Sequence, residues 1–177
     1  MHAHDTARHR LHAVLLALLF SVATLAHADE IALPTFITND EVGFTISYPP
    51  TWNVQFYPDA NQVDFGMGSA FFTVDAIEVD MLPSGDLAEV FDLLIEELEF
   101  FLDDLELTPL PERTFAEQEA LAVRYSGAEF DFEVIGTLFL FMTDEYAFIL
   151  NYEADADEYD ELEPTFEAML ASFTLGD

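Results

Sequence analysis

Apolar and polar residues alternate along most of this chain, and a longer period replaces the alternation in two places. Gly43-Phe44-Thr45-Ile46-Ser47-Tyr48 repeats every second residue, as a half-buried strand does, and Pro49-Pro50 stops it. Phe36-Ile37-Thr38 predicts a short strand before it. Trp52-Asn53-Val54-Gln55-Phe56 predicts another after it, ending at the Pro58-Asp59 turn. Two further strands are expected over 63–67 and 70–80, the second burying Phe72, Val74, Ala76 and Ile77.

Beyond Pro83-Ser84-Gly85 the period lengthens. Leu87, Val90, Phe91, Leu94, Ile95, Leu98, Phe101, Leu102 and Leu105 follow the i, i+3, i+4, i+7 rule of an amphipathic helix. The expected helix runs over 86–105, with Asp86 at its N-cap and Glu89 completing a carboxylate version of the capping box. Its apolar stripe is expected to lie on a sheet. After Pro109 and Pro111 the strand pattern returns over 113–115 and 120–125, and Gly127 predicts a turn.

The segments 130–142 and 146–152 then read as a hairpin about Thr143-Asp144-Glu145. Ile135, Leu138, Phe139, Leu140 and Phe141 put apolar groups on both faces, as a central strand covered on two sides requires. An acidic connection over 153–163 leads to a last helix over 164–173. Pro164 is expected in its first turn, Phe166, Met169, Leu170 and Phe173 in its apolar stripe, and Gly176 at its end. The fold class is α+β: a mostly antiparallel central sheet flanked by helices, in a single domain over 29–177. Phe72, Val74, Leu94, Leu98, Phe139, Leu140, Phe148, Leu150, Phe166 and Leu170 are its expected core.

The first residues follow a different logic. Arg8-His9-Arg10 is basic, 11–26 is largely apolar, and Ala26-His27-Ala28 presents small residues where a signal peptidase reads. Residues 1–28 are therefore expected to be a cleaved signal peptide. The uninterrupted apolar run over 13–20 falls short of the ~20 residues a membrane span needs. No cysteine follows to take a lipid. The product is expected in the periplasm or outside the cell, with no membrane span after cleavage.

Cleavage changes the composition. It removes one of 36 acidic residues (Asp5), two of four basic ones (Arg8 and Arg10) and all five histidines, so the net charge moves from −32 to −33. The mature chain has no lysine, histidine or cysteine. Hydroxyl nucleophiles such as Ser47, Ser69, Ser84, Ser126 and Ser172 then lack a basic partner, and thiol chemistry, disulfides and His/Cys zinc sites are excluded. Gly66-Met67-Gly68 is an isolated glycine pair, not a phosphate loop. Nucleic acid is excluded as a partner because its phosphates demand Lys and Arg.

Catalysis would have to rest on carboxylates alone, and nothing in the pattern picks out a pair. The leading expectation is a non-enzymatic exported domain, without cofactor or catalytic residues, that binds or assists a protein partner in the envelope or outside. The alternative is an accessory protein that binds a divalent cation, calcium above all, through the 153–163 connection, with Asp155, Asp157, Asp160 and Glu161 as ligands. Asp155 and Asp157 have the first two spacings of an EF-hand. Tyr159 then stands at its third ligand position, Asp160 at its turn glycine and Phe166 at its closing glutamate. A carboxylate-only hydrolase is a third reading.

Charge also describes the surroundings. Glu89, Asp92, Glu96, Glu99 and Asp103 step by three or four along the expected helix with no basic partner. Such like-charge neighbours cost about 0.2–0.5 kcal/mol each at low salt. Asp103 and Asp104 would also sit at the negative end of the helix dipole. A domain of about 17 kDa exposes roughly 7,700 Å², so its net charges lie about 15 Å apart, against a Debye length of ~10 Å at 0.1 M salt and ~3 Å at 1 M. The expectation is a halophilic protein whose stability depends on salt.

Gly43-Phe44-Thr45-Ile46-Ser47-Tyr48-Pro49-Pro50-Thr51-Trp52 resembles the opening of the PsbP-like family, an aromatic-rich strand ending in Tyr-Pro and followed by Trp. The stretch from Tyr159 through Pro164-Thr165-Phe166-Glu167-Ala168-Met169-Leu170-Ala171-Ser172-Phe173 is similar to that family's final helix, which tends to end in Ser-Phe. Leu121-Ala122-Val123-Arg124-Tyr125 and Ala147-Phe148-Ile149-Leu150-Asn151-Tyr152 look like its central strands. The resemblance implies an α/β/α sandwich, shared with a Ran-binding nuclear import factor and with bacterial exported proteins, of which this would be a divergent acidic exported member. The family's plant photosystem subunit helps retain calcium and chloride and docks through basic residues and histidines. The mature chain has no lysine or histidine to match them. Tyr48 and Trp52 carry over as structural residues.

Overall fold

The computed structural model describes residues 31–130 and 132–176, and nearly every alternating run among them is a strand. The expected signal peptide lies outside the described residues. β1 (Thr35–Asn39) and β2 (Phe44–Tyr48) form a hairpin, followed by β3 (Asn53–Tyr57), β4 (Gln62–Met67) and β5 (Ala70–Glu78). Helix α1 (Leu87–Phe101) leads into β6 (Asp103–Pro109), β7 (Arg113–Phe115) and the long strands β8 (Gln118–Glu129), β9 (Phe132–Met142) and β10 (Tyr146–Asp155). Helix α2 (Tyr159–Ser172) and the short β11 (Thr174–Leu175) complete the chain. The large sheet has the order β3-β4-β5-β10-β9-β8-β6, with β7 folded back on β8. A small sheet has the order β1-β2-β11, and every ladder in both is antiparallel.

Alternation in β9 explains the layers. Phe139 and Phe141 face one way, into a core with Phe72 and Val74 of β5 and Phe148, Leu150 and Tyr152 of β10. That core is closed by Phe166, Met169 and Leu170 of α2 and by Phe44 and Ile46 of β2. Leu138 and Leu140 face the other way, towards Val90, Phe91, Leu94 and Leu98 of α1. Aromatic rings fill the first core: Phe141 stacks on Phe148 at 5.0 Å and Tyr152 on Phe166 at 4.7 Å. Each buried ring contributes about 1.5–3 kcal/mol, and the chain has no cysteine to add a crosslink.

Asp86 caps α1 as expected, its carboxylate accepting from the N–H groups of Ala88 (2.9 Å) and Glu89 (3.2 Å). The helix does not reach residue 105. It ends at Phe101, Leu102 is extended, and 103–109 is an edge strand. β8 runs far enough to pair with it, and Asp103 directly follows the C-cap Leu102.

Gly127 makes no turn. It lies inside β8, where an added Cβ would stand 3.0 Å from Leu102 Cβ and 3.1 Å from the Asp103 carbonyl oxygen. The chain turns further on, with Phe130 left-handed at φ 55°.

The expected connection over 153–163 is three things at once. Residues 153–155 finish β10, a short turn follows, and α2 begins at Tyr159 rather than at Pro164, which lies inside it. Tyr159 anchors this earlier start, being buried with its hydroxyl 3.0 Å from Thr137 Oγ1. Of the expected core only Leu94 and Leu98 are half-buried, as is Ile77, because α1 packs over β8 and β9 near one margin of the sheet.

Candidate functional site

Arg113 and Arg124 are the only cations among the described residues. Both face α2. Arg113 bonds Glu167 at 2.8 Å with its guanidinium over the Phe139 ring at 5.4 Å. Arg124 pairs with Glu163 and lies over the Tyr159 ring at 5.3 Å. The Tyr152 hydroxyl donates to the other oxygen of Glu167 at 2.8 Å, and burial, more than its neighbours, raises the pKa of that phenol. A cleft of about 370 Å³ lies among Leu110, Pro111, Arg113, Arg124, Tyr152 and Glu167. Both of its arginines are already paired with α2 carboxylates, so they hold that helix on the sheet, and Glu112 is the remaining charge in its wall.

On the opposite face Tyr125 lies over Gly136 and donates to Glu153 Oε2 at 2.6 Å, with Asn151 Oδ1 at 3.0 Å. Burial first, then the Glu153 carboxylate, holds this phenol well above its ordinary range. A phenol that keeps its proton is neither base nor nucleophile near neutral pH.

The four acidic candidates are strung along one stretch. Asp155 ends β10, Asp157 lies in the turn, and Asp160 and Glu161 are in the first turn of α2. The residue here with a specific contact is Glu158, which accepts from Ser69 Oγ at 2.6 Å. Among the described residues no group of three or more acidic, His or Cys side chains converges to hold a metal ion. Elsewhere, Asp64 accepts from Gln62 (2.8 Å) and Thr73 (3.2 Å). Neighbouring Asp75 has its pKa raised, by burial first and also by the Asp64 charge, against an opposing Ala76 N–H.

Two surfaces interrupt the acidic shell. One is a corner where α1 ends beside the β8–β9 turn, since Asp103 pairs with Ala128. Phe100 is 83% and Phe130 90% exposed there, and Phe101 and Phe132 are exposed as well. The other is the flank of β3, β4 and β5, where Phe56, Tyr57, Met67 and Phe71 are exposed. Residues 42–58 and 65–74 contain no charged side chain, although 23% of the chain is charged. A cleft of about 290 Å³ lies on this flank among Asn53, Gln55, Tyr57, Asp64, Met67 and Phe71. Alternation does not reveal which apolar residues stay wet, so periodicity misses both surfaces. The charge-free runs are the one signal that finds the second.

Among the described residues no helix is long and apolar enough to cross a membrane. The layers define an α+β sandwich of the PsbP-like and Mog1 fold. The chain is similar in structure to PsbP (CyanoP) of Synechocystis sp. PCC 6803 at 15% identity and a TM-score of 0.56, over 80% of this chain and 91% of that one. LpqN of Mycobacterium tuberculosis, involved in cell envelope biogenesis, aligns at 14% identity and 0.55, over 81% and 90%. The Ran-binding protein Mog1p of Saccharomyces cerevisiae aligns at 15% and 0.53, over 81% and 95%. No family model matches the sequence, and no curated protein matches it.

Proposed function

We propose that this chain is a non-catalytic exported domain that binds a protein partner in the envelope or outside the cell. The exposed phenylalanines carry the reading. A chain of net charge −32 has acidic residues to spare for its surface, yet Phe100, Phe101, Phe130 and Phe132 stand in water at one corner. Phe100 and Phe101 meet edge to face at 5.2 Å, and large exposed apolar patches mark interaction sites. The residue types of the mature chain supply no histidine or lysine to activate a hydroxyl nucleophile. A partner-binding role is also in keeping with two fold neighbours, the Ran-binding protein Mog1p and LpqN, involved in cell envelope biogenesis.

Crosslinking of the protein in its native envelope, followed by mass spectrometry, tests this. A discrete stoichiometric partner, crosslinked less when Phe100 and Phe130 are changed to Ser, is the expected result. Recovery of the uncrosslinked monomer alone overturns the reading.

A further inference from the structure

The two edges of the large sheet are built differently. β6 carries Asp103, Asp104 and Glu106, shifts register between Asp103 and Glu106, has a left-handed Asp104 at φ 53°, and ends on Pro109. Charges, bulges and prolines are the devices that stop another chain from pairing with an edge. β3 at the far edge has none of them. Asn53-Val54-Gln55-Phe56-Tyr57 is uncharged and pairs with β4 in unbroken register, and β4 is its only ladder partner among the described residues. On an antiparallel edge, alternate residues turn N–H and C=O outward. β3 therefore offers a row of backbone donors and acceptors with nothing guarding it.

The side chains beside that row limit what fits. The cleft between Asn53, Gln55 and Tyr57 on one side and Met67 and Phe71 on the other, with Asp64 in its wall, measures about 290 Å³. It is a shallow cleft at the foot of the strand edge, with room for a side chain of a segment lying along β3. α1 packs over β8 and β9, away from this flank, and Phe71 is 47% exposed. Carboxylates stand close to this edge: Asp59 follows β3, Asp64 lies opposite Gln55 on β4 and lines the cleft, and Asp75 lies beyond it on β5. An occupant apolar against Tyr57, Met67 and Phe71 and basic beside that run is complementary to this arrangement. A second copy of this chain brings a large negative charge of its own and is not.

We propose that β3 is a docking edge for an extended segment of the partner protein, which adds a strand to the sheet. One of its apolar side chains sits against Tyr57, Met67 and Phe71, and basic residues flank its apolar run. Strand addition takes affinity from main-chain hydrogen bonds and specificity from pockets for alternate side chains, and this edge and cleft supply both. The inference rests on the partner-binding reading above and adds a second surface, at the opposite edge of the sheet from the phenylalanine corner, and the chemistry of the segment it takes.

The probe is a synthetic nonapeptide of alternating threonine and valine, with a central phenylalanine and a lysine at each end, added to the mature protein. Binding is expected to slow hydrogen exchange at alternate β3 amides and to shift the Tyr57 and Phe71 resonances. The same peptide N-methylated at alternate residues keeps its charge but cannot pair, and should bind about tenfold more weakly or worse. Phe71→Ser, which leaves the backbone intact, should weaken the unmodified peptide, and so should Gln55→Pro if circular dichroism shows it folded.

Equal binding of the N-methylated peptide overturns the proposal, because attraction by charge alone would then suffice. So does a shift pattern centred on Phe130 and Phe132, or β3 protection that arises from self-association without peptide. An envelope partner that crosslinks to Phe71→Ser as well as to the parent protein removes this inference while leaving partner binding intact. Absence of any partner removes the broader reading instead.

Discussion

Tyr125 reaches across Gly136, its paired residue on β9, to bond Glu153 one strand further on. The glycine is there for room: an added Cβ would stand 2.2 Å from the Tyr125 ring carbon Cζ. Gly136→Ala is therefore expected to displace the ring and destabilise the fold by about 1–3 kcal/mol, the usual range for an overpacked core. Urea unfolding followed by fluorescence measures it. A midpoint equal to the parent's would show that the ring moves aside without cost.

Alkaline pH should find the same residue. The Tyr125 and Tyr152 phenols are both held above their ordinary range, chiefly by burial. In the unfolded chain they ionise near pH 10. Between that value and the folded one, the folded state binds more protons than the unfolded. The associated stability is complete below about pH 10 and lost as pH rises beyond it. Stability measured from pH 8 to 11 should fall, and Tyr125→Phe should fall less steeply than the parent. Parallel curves would place the alkaline loss elsewhere.

Asp75 gives the acidic counterpart with the sign the same way round. Its raised pKa means that the folded state resists charging this carboxyl. Asp75→Asn should be more stable than the parent at pH 7, and the advantage should vanish as pH falls to the unfolded carboxylate range near 4. An Asn variant that is less stable at pH 7 would mean the charged form makes a contact worth more than its burial costs.

Salt should raise the melting temperature. Glu89, Asp92, Glu96 and Glu99 are exposed along α1, and both described arginines pair with α2, so α1 has no cation to relieve it. Between 0.05 and 2 M potassium chloride at pH 7, screening should add on the order of 5–10 °C. Calcium and magnesium at equal ionic strength should act alike. A micromolar calcium site lost in Asp155→Asn with Asp157→Asn would establish specific cation binding instead. A melting temperature flat in potassium chloride would show an acidic surface already compensated.

The sequence reveals an element wherever one physical signal acts alone. The β9–β10 hairpin is legible because its apolar residues occupy both faces, and the start of α1 because Asp86 caps it. The end of α1 is hidden: Leu102 and Leu105 keep helical spacing, while a long-range partner, β8, draws the chain into a strand. Gly127 misleads because close packing and tight turns both call for glycine, and only the neighbouring Leu102 decides between them. The acidic run over 153–163 reads as one connection because charge is indifferent to the boundary between strand, turn and helix. The flank at β3 is visible only as missing charge, since the position of a strand within its sheet is set by contacts far away in sequence.

Arg113 and Arg124 do more than hold α2. They are the only bonds' worth of trypsin substrate in the chain beyond residue 28, and each sits in a strand with its side chain engaged by a helix. The protease needs an extended, accessible segment around the basic residue, so cutting waits on local opening. The rate of tryptic cleavage is thus a clock for the opening of β7 and β8 beneath α2, running without label or mutation. The digest also yields one short peptide, residues 114–124, between two long acidic ones. Surveys that identify proteins by tryptic fragments would know this one almost entirely by that single hairpin of β7 and β8.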